Sequence, residues 1–225
     1  MTKSKFQAIL FDLDGTLVDS SRDIATSINL TLKHLGYDPI TLNQSNSFVG
    51  DGIRMLVKRA LGKSIYNNEN HTIEHDLLSE ADKIYRKYYA QHVLDTTLPY
   101  PGVVDTLNRI AGLQLAVISN KAVVYVNEIM HHFKLDKYFK LILGGDSAEL
   151  KKPDPYPLSY IAQQFNIDPQ QCLMVGDSEK DIIAGKAAGM ITCAVTYGMR
   201  SEKSLIKQQP DYIFSSFSEL TSLLA

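Results

Sequence analysis

The stretch that most constrains the fold is Phe6-Gln7-Ala8-Ile9-Leu10-Phe11-Asp12-Leu13-Asp14-Gly15-Thr16-Leu17-Val18-Asp19, an apolar run that ends in two acids, a glycine and a threonine. A continuous apolar run closed by a turn signal reads as a strand buried on both faces, the kind found in a parallel sheet covered by helices. Alternation along such a strand points Asp12 and Asp14 to the same side. Two like charges so close are unfavourable unless a cation, a strong donor or a shared proton compensates them. One reading is a Mg²⁺-dependent aspartyl nucleophile. Asp12 attacks a phosphoryl group, while Asp14 protonates the leaving alcohol as general acid and then activates water as general base. Gly15 lets the backbone turn beneath the phosphate, and Thr16 adds a hydroxyl and an amide donor. The alternative is a strand that ends in an ordinary Asp-rich turn, and this stretch alone leaves both open.

Beyond it, residues 20–97 read as helices only. Ser20 or Ser21 caps a helix carrying Ile24, Ile28, Leu32 and Leu35 at helical spacing, stopped by Gly36. A second helix is expected over 51–61 and a third over 72–92. Between the first two, Gly50, Asp51, Gly52 and Arg54 form a tight loop ahead of a helix, where amide donors meet an anion. From Pro99 and Pro101 onward the pattern becomes α/β. Apolar strands are expected over 115–118, 141–143, 172–175, 191–195 and 212–214, and helices over 103–111, 123–132, 156–165 and 181–188. The fold class is therefore α/β: a Rossmann-like parallel sheet core flanked by helices, over 1–19 and 98–225, with an inserted all-helical cap domain over 20–97.

In such a sheet ligands collect at the carboxyl ends of strands, and the polar motifs fall there. Ser119 and Asn120 offer a hydroxyl and amide donors for phosphate oxygens. Lys152 offers a positive charge that neutralises nucleophile and phosphate, and Asp177 a further carboxylate for the cation. Asp181, four residues on, is a direct or indirect partner of the metal or of Lys152. Taken singly, each also reads as a helix cap, a helix-start acid or a solvated lysine.

Other signals narrow the class. With 23 basic and 25 acidic residues and no block of like charge, no nucleic-acid surface is expected. Tyr85, Tyr88 and Tyr89 beside Lys83, Arg86 and Lys87 read as core packing with a solvated basic face rather than as base-stacking groups. No apolar stretch has membrane-span length and the start of the chain leads directly into a strand, so no membrane partner and a cytoplasmic location are expected. Cys172 and Cys193 read as buried core residues. His71 and His75, one helical turn apart without a third ligand, read as a solvated helix face.

With these residues in place, the chain resembles the haloacid dehalogenase superfamily. The likeness lies in Asp12, Asp14, Gly15, Thr16 and Asp19, in Ser119-Asn120-Lys121, in Lys152-Pro153-Asp154-Pro155, and in Gly176-Asp177 with Asp181. The resemblance implies Mg²⁺, Asp12 as nucleophile and metal ligand, Asp14 as acid/base and ligand through its backbone carbonyl, and Asp177 as metal ligand. Dehalogenase members lack the second acid, so Asp14 implies phosphoryl transfer. Phe48-Val49-Gly50-Asp51-Gly52-Ile53 and Tyr100-Pro101-Gly102 are most similar to the phosphoglycolate phosphatase group. That likeness implies a small phosphate monoester, 2-phosphoglycolate, as substrate; its carboxylate needs a donor, for which the amides of Gly50, Asp51 and Gly52 or the Arg54 side chain are the candidates, and a monomer or homodimer is expected. The competing readings are a pyrophosphatase, a broad sugar or nucleotide phosphatase, a β-phosphoglucomutase-like phosphotransferase, and a non-enzymatic binding protein on the same scaffold.

Overall fold

The computed structural model describes residues 5–147 and 149–224. Strand β1 (Ala8–Phe11) is buried at all four positions and sits inside a six-stranded sheet. Two-residue strands β2 (Val18–Asp19) and β3 (Leu98–Pro99) lie outside that sheet. Its other members are β4 (Gln114–Ile118), β5 (Leu141–Leu143), β6 (Cys172–Gly176), β7 (Ile191–Val195) and β8 (Tyr212–Phe214). The order is β5-β4-β1-β6-β7-β8, and every pairing is parallel. Phe11 stands opposite Val117 on one side and Val175 on the other, so the three central strands end level. Because β4 lies to one side of β1 and β6 to the other, the carboxyl end of β1 is the switch point where an open α/β sheet leaves a crevice for ligands.

The chain divides into two compact units, Ser20–Leu98 and Met1–Asp19 with Pro99–Ala225. The first unit is all helical, with α1 (Ser21–His34), α2 (Leu42–Phe48), α3 (Ile53–Tyr66) and α4 (His75–His92). Helix α2 has no apolar periodicity to announce it. It begins at a capping box in which Thr41 Oγ1 accepts from Gln44 N and Gln44 Oε1 accepts from Thr41 N. Helix α3 runs on to Tyr66 and closes on Asn67 in a left-handed conformation. Helix α4 starts only at His75, so His71 precedes it and stacks on Tyr66 with ring centroids 3.7 Å apart. The expected one-turn spacing of His71 and His75 is therefore not realised. Tyr85 and Tyr89 are buried and stacked on one another, while Lys83, Arg86 and Lys87 are exposed. Asp23, only 1% exposed, accepts from the amides and hydroxyls of both Thr96 and Thr97 at 2.6–3.0 Å. Burial pushes its carboxyl up, but these hydrogen bonds outweigh it and hold it below the usual carboxylate range.

In the second unit α5 (Val103–Arg109), α6 (Val123–His132), α7 (Tyr156–Phe165), α8 (Glu179–Ala187) and α9 (Glu202–Ile206) accompany the sheet. Leu158, Ile161 and Ala162 of α7 pack with Leu10, Ala116 and Met174 of the three central strands. Each such fully buried leucine or isoleucine contributes roughly 2 kcal/mol of transfer free energy. Cys172 and Cys193 are free and buried, and burial pushes both thiols up, Cys172 to about 11. Among the described residues no helix is long and apolar enough to cross a membrane.

Candidate active site

Ladder pairing stops at Phe11, so Asp12 lies one residue beyond β1 and donates its amide to the Val175 carbonyl at 3.0 Å. Asp14 is not on the strand at all. It sits in a tight turn in which the Leu13 carbonyl accepts from the amides of Thr16, Leu17 and Val18. Strand alternation is thus not what brings the two acids to one side. The turn places Asp14 near enough for its charge to act on Asp12, and Gly15 permits that turn at φ +85°.

The two acids have separate lysines. Lys152 Nζ, almost wholly buried, lies 3.0 Å from Asp12 Oδ1 and 2.6 Å from Asp181 Oδ1. Burial works against its charge, but Asp12 and Asp181 more than reverse this and hold the ammonium above its ordinary value. Asp181 Oδ2 accepts from the amide and hydroxyl of Ser178 at 3.0 and 2.6 Å, so both oxygens of this fully buried carboxylate are engaged. Asn120 donates its side-chain amide to the Lys152 carbonyl at 2.7 Å, which spends that group on the lysine loop. The second lysine, Lys121, reaches both oxygens of Asp14 at 3.0 and 3.1 Å.

Asp177 follows β6 and accepts from the Met199 amide at 2.7 Å. A Cβ at Gly15 or Gly198 would overlap its carboxylate, so two glycines make the room it occupies. Asp12, Asp177 and Asp181 offer ligand atoms that lie within 4.8 Å of one another. Burial, opposed by Lys152 and reinforced by Asp181 and Asp14, pushes Asp12 up to about 7. Burial and then the charges of Asp12 and Asp181 push Asp177 well above the carboxylate range. Carboxylates crowded into a dry site at this cost suit a divalent cation, and an all-oxygen donor set fits Mg²⁺.

Around them stand the polar groups of the neighbouring strand ends. Thr16 is fully buried, its Oγ1 has no hydrogen-bond partner, and its carbonyl accepts from the Tyr197 hydroxyl at 2.9 Å. Ser119, buried at the end of β4, donates its amide to the Leu143 carbonyl and accepts at Oγ from the Lys121 amide. Three participants had no role assigned from the sequence: Lys121, which stands in the Ser119-Asn120-Lys121 motif, and Tyr197 and Met199, which stand in none. Lys121 directly follows Ser119-Asn120, and Tyr197 and Met199 lie in the loop after β7, so attention to every strand's carboxyl end would have found them.

In the helical unit, Gly50 and Gly52 have φ of +111° and +86°, and Gly52 precedes the first residue of α3. Asp51 is paired with Arg59 at 2.6 Å, and the same guanidinium donates to the Phe48 carbonyl at 3.0 Å. Arg54 is exposed on α3.

The haloacid dehalogenase-like hydrolase family model matches residues 9–195, most of the chain. This chain belongs to that family. The phosphoglycolate phosphatase of Colwellia psychrerythraea is 36% identical over 217 residues, covering 95% of each chain, and that of Neisseria meningitidis is 40% identical over 220 residues, covering 95% of this chain and 92% of its own. The crystal structure of a predicted phosphoglycolate phosphatase from Haemophilus somnus superposes with a TM-score of 0.92 at 32% identity over 99% of both chains. In this haloacid dehalogenase-like hydrolase the buried aspartates form the machinery of a phosphatase, with a cluster able to hold a divalent cation such as Mg²⁺.

Proposed function

We propose that the chain hydrolyses 2-phosphoglycolate to glycolate and phosphate through an aspartyl phosphate on Asp12. The observation that carries the chemistry is a carboxylate at the end of β1, 3.0 Å from a buried ammonium and crowded by a second buried carboxylate, Asp177. Asp12 attacks phosphorus, the bond from phosphorus to the leaving oxygen breaks, and Asp14 gives that oxygen its proton. Asp14 then takes a proton from the water that attacks the aspartyl phosphate, releasing phosphate and restoring Asp12. Asp12 and Asp177 would hold the cation together with the Asp14 carbonyl, and Asp181 orients Lys152. When bound, the cation supplies charge neutralisation between carboxylate and phosphate. Lys152 stabilises the charge gathered on the phosphoryl oxygens, and Thr16 Oγ1, Ser119 and the Asn120 region supply the donors that hold them.

The substrate rests on the similarity to proteins bearing the phosphoglycolate phosphatase name. We assign Gly50, Asp51, Gly52 and Arg54 to recognition of its carboxylate, with Asp51 holding the turn through Arg59. Mg²⁺-dependent phosphate release is to be measured from 2-phosphoglycolate, pyrophosphate, β-glucose 1-phosphate, a nucleoside monophosphate and p-nitrophenyl phosphate. A lead of about tenfold or more in kcat/KM for 2-phosphoglycolate, roughly 1.4 kcal/mol, supports the assignment, and equal turnover of all esters removes it. Arg54→Ala should raise KM for 2-phosphoglycolate more than for a neutral phosphate ester, and an equal effect on both takes Arg54 out of this role. The cytoplasm is the proposed location and small phosphate esters, not nucleic acids, the proposed partners.

A further inference from the structure

We infer that Lys121 is a positioning residue that sets the orientation of the Asp14 carboxylate toward the leaving oxygen, an inference that rests on the reading of Asp14 as the group exchanging the proton. Lys121 Nζ contacts both oxygens of Asp14, and the two side chains are only 6% and 10% exposed. A two-point contact to one ammonium restricts the rotamers open to a carboxylate.

The lysine is itself mounted rigidly. Its amide donates to Ser119 Oγ at 3.3 Å, and its carbonyl accepts from the Gly145 amide at 2.7 Å. The turn after β5 is drawn so close that a Cβ on Gly145 would overlap the Asn120 carbonyl, and one on Gly144 would overlap the Val123 backbone. The Asp146 carboxylate closes the same region by accepting from the Val123 amide at 2.7 Å. Lys121 therefore leaves a fixed platform at the end of β4 and reaches an acid that β1 does not hold by strand pairing. Its division of labour with Lys152 is clear: Lys152 contacts the nucleophile and Asp181, and Lys121 contacts Asp14.

The test compares first-turnover rates of leaving-group release for two esters, p-nitrophenyl phosphate and the alkyl phosphate that leads the substrate panel. The first releases a stabilised phenolate that needs no proton, whereas the second releases an alkoxide that does. Lys121→Met should slow the alkyl ester about 10- to 100-fold more than the aryl ester with KM within about threefold, as expected of a misplaced catalytic group. Lys121→Arg should restore most of that loss. In an Asp14→Asn background, Lys121→Met should cost less than about threefold further, because the group it orients is gone. Should Lys121→Met fail to fold, as judged by circular dichroism, Lys121→Gln carries the same comparison. Equal slowing of both esters, or a full additional loss in the Asp14→Asn background, overturns the role of Lys121 while leaving that of Asp14 intact. If Asp14→Asn does not slow the alkyl ester, the proton-transfer reading and the positioning role fall together.

Discussion

Asp23 in the helical unit and the pair Asp12 and Asp177 in the α/β unit are buried in opposite ways. In the helical unit, Asp23 is surrounded by the amides and hydroxyls of Thr96 and Thr97, and its charge is favoured despite burial. In the α/β unit, Asp12 and Asp177 are buried beside other acids, and their charge is disfavoured, with Asp12 pushed up to about 7. Donors do reach the second pair, but burial and like charge outweigh them: Lys152 is shared between Asp12 and Asp181, Asp177 accepts from the Met199 amide, and Ser178 bonds Asp181. A satisfied buried charge stabilises a fold, whereas an unsatisfied one is retained where a ligand completes it.

The largest expected effect tests the unsatisfied side. Asp12→Asn should reduce phosphatase kcat by roughly 10⁴-fold or more while thermal unfolding stays close to wild type, because the substitution removes a charge that burial opposes. A variant that keeps more than a tenth of its activity would remove Asp12 as the nucleophile. On the same side, saturating Mg²⁺ should raise the unfolding midpoint of the wild-type protein, by about 2.7 kcal/mol of stability at 100 times the dissociation constant. Asp177→Asn should abolish that rise. Gly198→Ala should raise the Mg²⁺ dissociation constant by about tenfold in a calorimetric titration, because a Cβ there crowds both the Asp177 side chain and the Gly15 carbonyl. An unchanged affinity would show that Asp177 can shift without cost to the site.

The satisfied side is read by pH. Asp23→Asn should destabilise the protein at neutral pH by about 3 kcal/mol, since four donors lose an ionised acceptor. The folded pKa of Asp23 lies below the unfolded value near 4, so its contribution is fully present above about pH 4 and is lost as the pH falls through the folded value. Denaturation of wild type and Asp23→Asn should therefore converge in acid. A gap that stays constant to low pH would mean that the ionised form is not what the threonines hold.

The same contrast marks what the sequence could reveal. Strands and their order of appearance were legible because each is a short apolar run bounded by turn residues, at the sheet edges (β5, β8) as well as inside it (β7), and β5, β7, β8, α6 and α7 fall on the expected residues. The acids at the strand ends were legible because charge at the end of such a run requires a reason. Helix α2 was not, since Leu42-Asn43-Gln44-Ser45-Asn46-Ser47-Phe48 has no apolar stripe and depends on its cap. Nor was the pairing of Asp14 with Lys121, because 107 residues separate them and only the level ends of β1 and β4 bring them together. Asp23 reads locally as a helix-start acid, and its partners lie 73 and 74 residues away.

Asp82 separates burial from hydrogen bonding within one carboxylate. Asp82, on α4, pairs with Arg86 through Oδ2 at 2.7 Å, while its Oδ1 is buried with no hydrogen-bond partner. It is thus half like Asp23 and half like the aspartates of the α/β unit, with no cation or substrate assigned to complete it. An exposed i,i+4 pair contributes about 0.3–0.5 kcal/mol, and leaving one oxygen unsatisfied costs a comparable or larger amount. Asp82→Ala should accordingly change stability by less than about 0.5 kcal/mol in urea denaturation, in the same assay in which Asp23→Asn costs several times more. If the two substitutions cost alike, burial alone and not the number of donors governs these acids, and the raised values at Asp12 and Asp177 lose their functional meaning.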